Sequence, residues 1–85
     1  MGLKGVREAI DLIDADIVGL LRKRFELAVR AGKIKGHVED AAREKEVVDN
    51  VKRTAAGLLS PDFIEKLYAE IIAEAKQQEH AGSIS

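Results

Sequence analysis

The sequence has no cysteine and no tryptophan, a single proline, and only two phenylalanines and one tyrosine among its 85 residues. Without cysteine there are no disulfides and no thiolate metal sites, which fits a reducing compartment. So few aromatics argue against a surface on which bases stack. The formal net charge is −1, so no global field draws the chain to nucleic acid or to an acidic membrane. No stretch approaches the ~20 consecutive apolar residues of a membrane span. Met1 to Ile10 carries Lys4, Arg7 and Glu8 and has no uninterrupted apolar core, so no secretory signal is expected there. There is no glycine-rich phosphate loop and no Ser/His/Asp set. The only histidines, His37 and His80, fall near segment ends and make no metal-ligand spacing. The expectation is one soluble, cytoplasmic domain over residues 1–85, without metal or cofactor.

Helical periodicity is what the chain does have. From Leu3 to Lys35 apolar residues recur at steps of three and four, among them Val6, Ile10, Ile13, Ile17, Leu20, Leu21, Leu27 and Ala31. This is the amphipathic helix pattern, sustained over many turns. At 1.5 Å per residue the helix would be roughly 50 Å long. Gly36 is placed to end it in the left-handed conformation. A second helix is expected from Asp40, a good N-cap, through the stripe Val47, Val48, Val51 and Ala55, with Gly57 as its end. Ser60-Pro61-Asp62 reads as a cap, a proline at the first helical position and an acid at the positive helix end. Ile64, Leu67, Tyr68, Ile71, Ile72 and Ala75 then form the inner face of a third helix, and residues 81–85 are expected to fray.

Two short helices cannot cover one this long, so the far half of the first helix should expose an apolar strip. Such strips mark partner surfaces, and a homodimer pairing two long helices is the economical solution. The alternative is a first helix kinked at Gly19 or Gly32 and folded into a monomeric bundle.

The stripe of the first helix is broken. With Ile17 at zero and 100° per residue, Arg24 falls about 20° away and Lys35 almost on it. Arg22, Lys23, Arg30 and Lys33 fall away from the stripe, as solvated charges should. A cation on a buried stripe is costly unless paired. Each long side chain can snorkel to water, more readily for Lys35 at the helix end than for Arg24 in its middle. Alternatively an internal carboxylate such as Glu44 pairs with Arg24, or the interface receives an anion. Arg43 and Glu44 break the second stripe and Glu79 the third. Breaks on all three helices point to a polar pocket between helices of a bundle. Arg7 lies about 80° off the stripe centre and by periodicity is only a flank residue.

These residues also form a pattern. Arg7-Glu8-Ala9-Ile10-Asp11-Leu12-Ile13-Asp14, then Leu20 to Ala28, Gly32-Lys33-Ile34-Lys35, Asp40-Ala41-Ala42-Arg43-Glu44, Ser60-Pro61-Asp62-Phe63 and Leu67 to Ile72 resemble, in order and spacing, the all-helical (AroQ-type) chorismate mutases. The resemblance runs from about Leu3 to Glu79. It implies an all-α, three-helix protomer in an intertwined homodimer. It implies rearrangement of chorismate to prephenate, in phenylalanine and tyrosine biosynthesis, with no cofactor. By position, Arg24 and Arg43 are implied as substrate contacts of one protomer and Arg7 as the arginine given by the other. Lys35 is implied beside the ether oxygen, and Asp40 and Glu44 near the substrate hydroxyl. Two positions depart from the family's pattern: Ala75 stands where a serine is usual and Glu79 where a glutamine is usual. Gln can donate to the ether oxygen, whereas Glu can do so only when protonated. Isochorismate pyruvate lyases resemble the chain through the same fold and much of the first motif. A weakly active module that docks on another shikimate-pathway enzyme is a further reading.

Overall fold

The structure, a computed structural model, describes residues 2–36 and 40–84, the last three by backbone only. His37, one of the two histidines considered above, lies outside the described residues. Three helices follow one another, and no strand occurs among the described residues: α1 (Leu3–Lys35), α2 (Ala41–Thr54) and α3 (Pro61–Ile84).

α1 is one helix of 33 residues, unbroken through Gly19 and Gly32. The folded-back bundle with a kinked first helix is therefore not what forms. Its length sets the longest dimension of the molecule, 51 Å against 30 and 16 Å. The helix ends where Gly36 takes φ 81° and gives its N–H to the carbonyl of Gly32 at 2.9 Å, a conformation that costs a residue with a Cβ but not glycine. Lys33 and Lys35 in the last turn complement the negative helix end.

Asp40 caps α2, its Oδ1 accepting from the Arg43 N–H at 3.0 Å. α2 stops at Thr54, before the expected Gly57. The Thr54 hydroxyl donates to the Asn50 carbonyl at 3.0 Å. The Leu58 and Leu59 N–H groups then turn back onto the Ala55 carbonyl at 2.9 and 3.0 Å. Gly57, at φ 81°, lies in that turn and not at the helix end. Ser60 starts α3, its Oγ accepting from the Phe63 N–H at 3.1 Å. α3 continues to Ile84, so helical backbone extends into the stretch expected to fray.

α3 is the hub: it packs on α1 along one side and on α2 along the other. Arg24 faces Tyr68 and Gly32 faces Glu79, so α1 and α3 run in the same direction. Glu44 pairs with Lys76 and Lys52 with Glu65, so α2 runs against α3. Among the described residues the buried apolar ones are few: Ala55, Ile64 and Ala75. Ile64, 1% exposed, is the largest, and its burial contributes about 1.5–3 kcal/mol.

α3 begins only seven residues before Tyr68, so the first half of α1 reaches past it. There Leu3, Val6, Ile10, Ile13 and Ile17 stay exposed, Ile13 at 57%. This is the uncovered apolar strip that the length mismatch predicts. Among the described residues, no helix is long and apolar enough to cross a membrane.

Candidate functional site

The three helices leave a cavity of about 330 Å³ between them. Its apolar floor comes from Leu27, Ala28 and Ala31 of α1, Val47 of α2, and Ile72 and Ala75 of α3. Most of its polar lining comes from the positions that break the stripes, joined by the α2 cap. Arg24, Lys35, Asp40, Arg43, Glu44 and Glu79 all reach it. Six of the seven residues singled out from the sequence thus meet in one place, brought from all three helices and the α2 cap. Arg7 does not. It lies 17 residues before Arg24 on the same rigid helix, about 25 Å along its axis, on the uncovered half.

Each charged group is held differently. The Arg24 guanidinium lies over the Tyr68 ring, 5.6 Å from its centre. A cation over an aromatic face is stabilised without losing its hydrogen-bond donors, so the fork remains able to meet a planar acid. Glu44, weighed as its internal partner, pairs instead with Lys76, Nζ to Oε1 at 3.1 Å. Lys35 takes Asp40 as partner, Nζ to Oδ2 at 3.7 Å. Asp40 therefore has two tasks: one oxygen caps α2 and the other holds the last cation of α1. It ties the end of one helix to the start of the next. Arg43 reaches the rim and pairs with Glu46 one turn on. Glu44 sits in the first turn of α2, where the helix dipole favours a carboxylate.

Glu79 enters from α3, with its Oε2 buried. Its carboxyl approaches α1 at Gly32, where an added Cβ would meet it at 3.5 Å. The missing side chain on α1 makes room for the carboxyl between the helices. Ala75, 5% exposed, offers the cavity only a methyl group.

Lys76 also lines the cavity, and sequence reasoning overlooked it. The signal was available: it is four residues after Ile72 and so about 40° from it around α3, on the edge of the stripe. Among the described residues no cluster of His, Cys, Asp and Glu could hold a metal ion. The arrangement has four cations facing three carboxyl groups in a partly apolar hollow. That suits a small polyanion with hydroxyl groups, and it offers no evident nucleophile.

The model of the family described as chorismate mutase type II matches residues 6–80. The chain belongs to that family. Chorismate mutases are isomerases, and the match takes in every residue of the cavity. The bifunctional chorismate mutase/prephenate dehydratase of Aquifex aeolicus (strain VF5) is 35% identical over 81 residues, covering 84% of this chain and 22% of that relative. The chain thus spans about a fifth of the length of the curated relative it matches. No solved structure gives a significant match.

Proposed function

We propose that the protein rearranges chorismate to prephenate in this cavity, in the cytoplasm, as a step towards phenylalanine and tyrosine. The observation that carries the proposal is the convergence of Arg24, Lys35, Asp40, Arg43, Glu44 and Glu79 on one hollow in a chain of the chorismate mutase family. Chorismate is a dicarboxylate, and guanidinium forks suit carboxylates. In the rearrangement the ether C–O bond breaks as a C–C bond forms between the side chain and the ring, within one molecule. No nucleophile and no cofactor are needed. The protein's part is to hold the compact reactive conformer and to place donors where the ether oxygen gains negative charge.

In this reading Arg24 and Arg43 bind carboxylates. Lys35, steadied by Asp40, and Glu79 face the ether oxygen. Glu44 accepts from the substrate hydroxyl. Only the acid form of Glu79 can donate there, because an ionised carboxylate can only accept and would repel the developing charge. A second copy of the chain covers the strip on the first half of α1, and its Arg7 completes the rim.

The test is to incubate the protein with chorismate and, separately, with isochorismate, and to resolve the products across pH. Prephenate formed above background supports the proposal. Glu79→Gln should keep or raise the rate, because the amide can donate to the ether oxygen. Salicylate and pyruvate from isochorismate, with chorismate untouched, would make the protein a lyase. A rate that appears only on adding another shikimate-pathway enzyme would make it a docking module.

A further inference from the structure

Lys76 and Glu44 form a partition. Glu44, Ile72 and Lys76 line the cavity described above, and the same three line a second hollow of about 610 Å³ on the other side of the α2–α3 seam. The pair is mostly withdrawn from water, with 27% of the Lys76 side chain and 30% of the Glu44 side chain exposed. The other charges of the second hollow are already matched: Lys45 with Asp49 at 2.8 Å, and Lys52 with Glu65. Glu44 therefore stands between two spaces, and its flexible side chain has room to turn towards either.

We propose that Lys76 is a positioning residue for Glu44. It holds Oε1 at the wall and leaves Oε2 to accept from a hydroxyl group of the ligand, since an ionised carboxylate has capacity on both oxygens. Glu44 gains a fixed orientation without a covalent tether. The inference rests on the chorismate reading and adds a residue to it. Ala75 lacks a hydroxyl, and the next residue on α3 brings an ammonium group to the same wall.

The experiment measures kcat and KM on chorismate for wild type, Lys76→Met, Lys76→Gln, Lys76→Arg, Glu44→Gln and the Lys76→Met/Glu44→Gln double variant, with thermal melts to show that each is folded. Removing a charge-assisted bond should lower kcat/KM about tenfold, chiefly by raising KM, in Lys76→Met and Lys76→Gln alike. Lys76→Arg, which keeps the charge and the donors, should recover most of the loss. The double variant should be no worse than Glu44→Gln, because Lys76 works through Glu44. Wild-type constants in both neutral variants would overturn the proposal. So would losses that multiply in the double variant, because Lys76 would then act on its own. An inactive wild type would overturn the chorismate reading and the role of Lys76 with it, and the same series separates that outcome from the others.

Discussion

The two halves of α1 share one periodicity and meet different surroundings. From Leu20 to Lys35 the helix lies along α3, and its stripe carries Arg24 and Lys35 into the cavity. From Leu3 to Ile17 the stripe is apolar and uncovered. A continuous amphipathic pattern thus marks one face of a helix without fixing what surrounds it. The polar breaks separate the halves: they occur where the protein builds a pocket and are missing where the strip stays exposed. A cation on an apolar stripe is tolerated where it has partners of its own, the Tyr68 ring for Arg24 and Asp40 for Lys35.

The largest expected effect separates two arginines within one turn of α1. Arg24→Ala should lower kcat/KM on chorismate by about 100-fold or more, the scale set by loss of a preorganised charged donor. Arg22→Ala should leave it unchanged, because Arg22 is 78% exposed and only pairs with Glu26. Equal losses would erase the distinction between stripe and flank. A second comparison addresses the uncovered half. If a second copy covers it, wild type should show the mass of two chains by light scattering, and Ile13→Asp should show that of one, since a carboxylate in an apolar interface is strongly disfavoured. A wild type that is monomeric at working concentration would leave the strip to another partner.

The smallest expected effect lies far from both halves. Hydrogen bonding from Lys45 holds the Asp49 carboxyl below its usual range. A group whose folded value is depressed contributes stability above its unfolded value and loses it as pH falls through the folded one. Asp49→Asn should therefore lower the melting temperature slightly near neutral pH, and the gap should close in acid as the wild-type carboxyl takes up its proton. The pair is exposed, so salt should weaken the effect. A gap that persists at low pH would assign Asp49 a role other than its charge.

Much of this was legible in the residues. The bounds of α1 follow from an uninterrupted stripe and Gly36, and the start of α3 from Ser60-Pro61. The end of α2 was not, because Gly57 is the obvious breaker while the turn actually forms on the Ala55 carbonyl. Arg24 and Lys35 stood out because each interrupts a stripe on its own helix. Lys76 did not, because its meaning depends on Glu44, and periodicity says nothing about which faces of two antiparallel helices meet. The same gap left Glu44 open as one candidate partner for Arg24. Arg7 is the extreme case: within one chain it touches no part of the cavity, and only the family resemblance gives it a task.

The most direct test of the account joins the two halves. Arg7→Ala and Arg24→Ala should each be nearly inactive on chorismate as separate proteins. Mixed in equal amounts and allowed to exchange chains, they should recover about a quarter of wild-type activity per chain, because half of the pairs are mixed and each mixed pair has one intact site of two. A mixture no more active than its components, with chain exchange verified by mass, would contradict the claim that the uncovered half of one chain completes the pocket on the packed half of another.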